Sequence, residues 1–242
     1  PQMDRYLLAR TRRLIAQVSA HMDAFEISDA CDEVSDFIDM LTNWYIRNTR
    51  DRFWNEDENA FNTLYTVLEA FMRVLAPLAP MEAETVWRGL TGGDSVHLGD
   101  WPYLTDPATS EDTALGRVLV EDGDLVAAMD KVREVVSATL SLRKAKKMRV
   151  RQPLAKLTVV VDEPSQVDGY DALLKSELNI KDVEYSTLDE AADHGLKIID
   201  ELKVNARAAG PRLGKQVQFA IKASKSGDWH TDPATGDPVI ET

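Results

Sequence analysis

Apolar residues at helical spacing limit what this chain can fold into more than any other feature. Leu7, Thr11, Leu14, Ile15, Val18 and Met22 recur at three- and four-residue steps, which puts them on one side of a helix from Asp4 to about Met22. Ile27, Cys31, Val34, Ile38, Leu41 and Tyr45 repeat the pattern behind a capping Ser28 or Asp29 and carry a second helix through about Trp54. Asn55-Glu-Asp-Glu-Asn59 is an acidic turn suited to the positive end of a helix dipole, and Phe61, Leu64, Tyr65, Leu68, Phe71, Met72 and Leu75 form the third stripe beyond it. Ala76-Pro-Leu-Ala-Pro80 stops that helix because proline has no N–H for the ladder. A short helix over 82–90 carries Val86 and Trp87 and is closed by Gly92-Gly93. One-sided helices joined by short turns cover their apolar faces only by packing on each other, so residues 1 to 90 read as an antiparallel helical bundle.

A long helical pattern from Leu115 to about Lys147 keeps Leu125, Met129, Val132, Val136 and Leu140 in register, with Glu121-Asp-Gly-Asp124 as a break. After Pro153 the period changes from helical to alternating. Residues 154–162 and 180–185 read as strands, 168–177 as helix, 196–204 as a third strand and 216–224 as a further helix, with a loop over 208–214. The expected fold class is therefore mainly α, an antiparallel helical bundle followed by a small α+β domain. The expected boundaries are a bundle over 1–105, a linker and long helix ending in a basic cluster over 106–152, and the α+β domain over 153–242.

With 28 basic and 41 acidic residues the formal charge is −13, so a nucleic acid or an anionic membrane cannot be held by the surface as a whole. Any such contact must be focused. Arg143, Lys144, Lys146, Lys147, Arg149 and Arg151 supply one focus, with no acid among them; the other reading is a solvated helix end that compensates the dipole. The single cysteine, Cys31, fits a reducing, cytoplasmic setting and is expected to be a buried, inert thiol. No apolar run approaches a membrane span, no leader is visible, and the termini suggest an excised fragment.

The second focus is Asn43-Trp-Tyr-Ile-Arg-Asn-Thr-Arg-Asp-Arg-Phe-Trp54. On a continuous helix Asn43, Arg47, Arg50 and Trp54 share one side, while Leu41 and Tyr45 continue the buried one. Arginine forks suit phosphates and aromatic faces suit unstacked bases, so the stretch fits looped or single-stranded RNA. The competing reading is that its aromatics are core and that Asp51, four residues after Arg47, takes up part of the charge. No dinucleotide or phosphate-binding glycine loop, no His-Glu-x-x-His and no recognisable nucleophile setting is present. His21, His97, His194 and His230 are far apart in sequence, and His97 reads as a surface or packing residue.

Several motifs together resemble the isoleucyl-tRNA synthetase family downstream of its catalytic core. They are the Asn43–Trp54 run, Leu75-Ala-Pro-Leu-Ala-Pro80, Glu84-Thr-Val-Trp87, Val96-His-Leu-Gly-Asp-Trp-Pro102, Val150-Arg-Gln-Pro-Leu154, Glu177-Leu-Asn-Ile-Lys-Asp-Val-Glu184 and Leu213-Gly214. The Trp-rich helix and the proline pair are shared loosely with the valyl and leucyl enzymes, and the later motifs point to the isoleucyl member. The resemblance implies a bundle of the anticodon-binding type, buttressed by the α+β part. It makes Asn43, Trp44, Tyr45, Arg47, Arg50, Arg52, Phe53 and Trp54 candidates for the tRNA-facing helix, with Trp44, Tyr45 and Phe53 the first to be expected in the core instead. Arg143, Lys144, Lys146, Lys147, Arg149 and Arg151 become candidates for a second phosphate contact.

The family's His-Ile-Gly-His and Lys-Met-Ser-Lys-Ser signatures are absent, as is its editing domain, and one cysteine cannot form its zinc module. What the resemblance implies is thus recognition of tRNA without a catalytic residue or a metal site in this stretch. Ligation of isoleucine with ATP and magnesium would belong to the parent enzyme, whose catalytic and editing domains would be the other partners. The reading from a different class is a structural module that docks another domain through the bundle.

Overall fold

Helix α1 (Gln2–Asp23) is the post on which the bundle is built, since α2 (Ile27–Asp39), α4 (Glu58–Leu75) and α7 (Gly123–Ala145) all pack against it. The structure is a computed structural model and describes residues 1–191, 204, 214–226, 229–231 and 238–239. Leu7, Thr11, Leu14, Ile15 and Val18 are buried along α1, as its spacing predicts, and Tyr6 is buried as well. Between α2 and α4 lie a π-helical segment, Met40–Ile46, and the short α3 (Arg50–Trp54); α5 (Pro80–Thr91) follows and ends on Gly92, whose φ of 64° is the left-handed closure expected there.

Two stripes are rotated from their expected phase. In α2 the buried residues are Ala30, Val34 and Phe37, whereas Ile27, Ile38 and Cys31 are exposed. The expectation of a buried thiol is therefore corrected. In α4 the buried set is Ala60, Val67, Ala70, Phe71, Met72 and Val74, while Phe61 and Tyr65 are about half exposed. In both helices fully buried alanines, Ala30 in α2 and Ala60 and Ala70 in α4, take inner positions, as small residues can where helices pack closely. Phe37 meets Phe71 with ring centroids 5.1 Å apart where the two faces close.

The second helix is not continuous to Trp54. A π turn takes over at Met40, and Met40, Leu41, Trp44 and Tyr45 are buried along it, in pairs four residues apart. Thr49 Oγ1 and Asn48 Nδ2 then donate to the carbonyls of Tyr45 and Trp44, 2.6 and 2.9 Å away, and α3 starts afresh at Arg50.

α6 (Ala114–Val118) and α7 are separated at the expected acidic break, where Asp122 accepts from Leu125 N at 3.4 Å. Leu125, Met129, Val132 and Val136 are buried along α7 in the predicted register. β1 (Leu154–Val160), α8 (Asp171–Leu178) and β2 (Ile180–Ser186) follow. Leu154 N donates to Asn179 O and Val161 N to Ser186 O, so β1 and β2 run parallel with α8 between them.

The chain divides into two compact units, Pro1–Ala155 with Ser165–Asp182, and Lys156–Pro164 with Val183–Thr242. In the second, α9 (Val217–Ser226) buries Val217, Ala220 and Ala223, and β3 (His230–Thr231) pairs antiparallel with β4 (Pro238–Val239). Most of the expected strand over 196–204, most of the loop over 208–214 and His194 lie outside the described residues. No helix among the described residues is long and apolar enough to cross a membrane.

Candidate nucleic-acid interface

The run from Asn43 to Trp54 is divided by its surroundings into enclosed and free side chains. Tyr45 is fully buried and its hydroxyl donates to Asp4 Oδ1 at 3.0 Å; Trp44 is 5% exposed. Arg52 donates to both oxygens of Asp4, at 2.5 and 2.9 Å, and to Asp57 Oδ2 at 2.8 Å. Asp57 in turn caps α4 through the amides of Asn59 and Ala60. Hydrogen bonds from Arg52 pull the Asp57 carboxyl below its ordinary value, and the Asp4 and Asp57 carboxylates hold the Arg52 guanidinium still more firmly protonated. Burial first, and then the nearby Asp4 charge, push the Tyr45 phenol up. This network ties α1 to the start of α4.

The remaining side chains of that run lie outside this network. Phe53 is half-buried between the rings of Tyr45 and Phe61, at 6.4 and 5.2 Å. Asn43 is exposed and donates to Asp39 Oδ1 at 2.7 Å. Arg47 is half exposed and ion-paired with Glu177, whose side chain is buried on α8. Arg50 and Trp54, one turn apart on α3, are exposed, Trp54 at 75%, and make no ion pair or side-chain hydrogen bond among the described residues.

The basic cluster partitions the other way. Only Arg143 is consumed: 3% exposed, it donates from Nη2 to the carbonyls of Arg149 and Gln152, each at 2.5 Å, and from Nη1 to Leu178 O at 3.4 Å. Lys144, Lys146, Lys147, Arg149 and Arg151 are exposed and form no ion pair among the described residues. α7 closes by bonds from Lys147 N to Lys144 O and from Met148 N to Arg143 O, with Lys147 itself left-handed at φ 55°. That is the position where helices ordinarily place glycine.

Asn179 went unnoticed as part of this arrangement in the sequence. It closes α8 in the left-handed conformation, φ 50°, and its Nδ2 donates to the carbonyls of Val150 and Arg151, each at 3.0 Å. Its own carbonyl accepts from Leu154 N at 3.1 Å. A helix-terminal asparagine is a legible stop signal, but what its amide reaches is set only by the fold. Glu177, Leu178 and Asn179 thus anchor both arginine-bearing stretches, which lie about a hundred positions apart in sequence.

Elsewhere, His21, Glu26 and Asp29 bring ligand-capable atoms within 4.8 Å of one another. His21 Nδ1 already faces Glu26 Oε2 at 2.9 Å, which accounts for the grouping as an exposed ion pair.

Comparison with known proteins gives a consistent result. Residues 4–160 match the model of the anticodon-binding domain of tRNA ligase. The chain is 74% identical over 242 residues to the isoleucine–tRNA ligase of Bifidobacterium longum, covering 100% of this chain and 22% of that protein. It is 47% identical over 234 residues to the isoleucine–tRNA ligase of Nocardia farcinica, covering 97% and 21% respectively. With that of Mycobacterium tuberculosis it shares 49% identity over 231 residues, 96% of this chain and 21% of the other. The chain spans about one-fifth of the length of these relatives.

Proposed function

The chain belongs to the family of anticodon-binding domains of tRNA ligases, and from that premise we propose that its first compact unit grips the anticodon arm of an isoleucine-accepting tRNA. The observation that carries the reading is the end of α7 and the loop after it, where five exposed cations stand without an ion-pair partner among the described residues. In a chain of charge −13 such a loop is a local attractor for a polyanion. Arg50 and Trp54 supply a guanidinium and an indole face one helical turn apart, a pair suited to a phosphate and an unstacked base.

Asn43 and Arg47 form the margin of this surface, whereas Trp44, Tyr45, Arg52, Phe53 and Arg143 hold its scaffold. Within an isoleucine–tRNA ligase such recognition serves attachment of isoleucine to tRNA in the cytoplasm, with ATP and magnesium handled by catalytic parts beyond these residues. The alternative, a docking module whose arginines make ion pairs, draws on Arg47 and Arg52, each paired to a carboxylate.

The two readings separate in a fluorescence titration of the chain with isoleucine-accepting and non-cognate tRNA at two salt concentrations. Preference for the isoleucine acceptor that weakens with salt supports recognition. Equal, salt-insensitive or absent binding at low salt sinks it and favours docking.

A further inference from the structure

The cations of the loop after α7 are supported from beneath in an unusual way. The carbonyls of four consecutive residues, Arg149, Val150, Arg151 and Gln152, all accept side-chain hydrogen bonds from Arg143 or Asn179. Carbonyls turned inward take the negative ends of the peptide dipoles away from the outer surface. The loop is also held at both ends, by the closing turn of α7 and by the bond from Leu154 N to Asn179 O. Left free, a loop of this length would lose backbone and side-chain entropy on closing over a polyanion; fixed in advance, it does not.

We infer that the α8–β2 corner at Leu178-Asn179, acting with Arg143, is the positioning element of the tRNA contact, an inference that rests on the tRNA-binding reading above. Neither Asn179 nor Arg143 touches the RNA in this scheme. Asn179 sets the loop path from one side and Arg143 from the other, so that Lys147, Arg149 and Arg151 present their charges together. The left-handed Lys147 is consistent with this: a lysine side chain is kept where glycine would be conformationally easier.

The decisive variant is Asn179→Gly, which accommodates the left-handed backbone and removes the side chain with its amide, with no change in charge. Lys147→Ala and Arg149→Ala serve as contact variants. Thermal unfolding, tryptic cleavage within 144–151 of the free protein, and tRNA affinity against salt are measured for each. For Asn179→Gly the expected result is cooperative unfolding, faster cleavage, about tenfold weaker binding and a salt slope shallower by about one or more, although no cation was removed. A folded Asn179→Gly protein with unchanged cleavage and binding, alongside weakened contact variants, overturns the positioning role while leaving the tRNA reading intact. If the contact variants bind like the parent, the tRNA reading itself fails, and cleavage alone decides whether the corner clamps the loop. Should Asn179→Gly not fold, Arg143→Lys is read the same way, since lysine keeps the charge but lacks the fork that reaches both carbonyls.

Discussion

The Asn43–Trp54 run and the Arg143–Arg151 cluster look alike as strings of arginine and lysine, yet the fold uses them in opposite ways. In the first, Arg52 is locked onto Asp4 and Asp57 and Arg47 onto Glu177, while Arg50 and Trp54 make no ion pair or side-chain hydrogen bond among the described residues. In the second, Arg143 alone is sacrificed to the scaffold and five cations remain exposed. The difference lies in where the carboxylates are. Acids from α1 and α8 reach the first stretch, whereas backbone carbonyls, which carry no net charge, receive Arg143 in the second. A basic motif therefore reports available charge only after its partners in space are known.

The comparison breaks most visibly at Asp4, the acid that consumes Arg52 and Tyr45. Asp4→Ala leaves Arg52 with Asp57 as its one remaining carboxylate and strands the buried Tyr45 hydroxyl, and should lower stability by about 3 kcal/mol in urea denaturation. A loss under about 1 kcal/mol would mean that the network is incidental and Arg52 is open to RNA. Next in size is Trp54→Ala, expected to weaken tRNA binding by about 1–3 kcal/mol while leaving the urea midpoint unchanged, because the side chain is 75% exposed. Unaltered affinity would remove the first stretch from the contact surface altogether.

Lys147→Gly sharpens the contrast from the other side. Relief of the left-handed backbone should stabilise the fold by about 0.5–1 kcal/mol, while the lost charge makes the salt slope shallower by about one. Gains in both stability and affinity would show that the lysine has no part in binding. The smallest effect is expected at His21, remote in role from both stretches. Its hydrogen bond to Glu26 raises the imidazole pKa above the ordinary 6.5, so its contribution is fully present below that value and fades as pH rises through the raised one. His21→Gln should erase that shallow component of a stability-versus-pH curve on the alkaline side of 6.5 and leave tRNA binding untouched.

Legibility followed the reach of each signal. α1, α5 and α7 were readable because their spacing, the start of α5 at Pro80 and its stop at Gly92, and the Asp122 break are properties of neighbouring residues. α2 and α4 were read as helices, but their inner faces were misplaced: hydrophobicity ranks Ile38, Phe61 and Tyr65 above Ala30, Ala60 and Ala70, and close helix contact selects the reverse. The π turn was invisible, since nothing in Met40–Ile46 forbids an ordinary helix and the widening is imposed by what those side chains must fill. Asn179 escaped for the same reason, its partners being far along the chain.

By itself the sequence determined the helical elements, the change to strands after Pro153, the focusing of positive charge in an acidic chain and the kinship with isoleucine–tRNA ligases. All of these rest on periodicity, local stops and residue identity, which act over a few positions or require no geometry. Only the tertiary structure decided which arginines are free, which aromatics are core and what holds the cationic loop in place. Those outcomes depend on carboxylates and carbonyls brought from distant parts of the chain, and an ion pair is a property of two positions in space rather than of either residue alone.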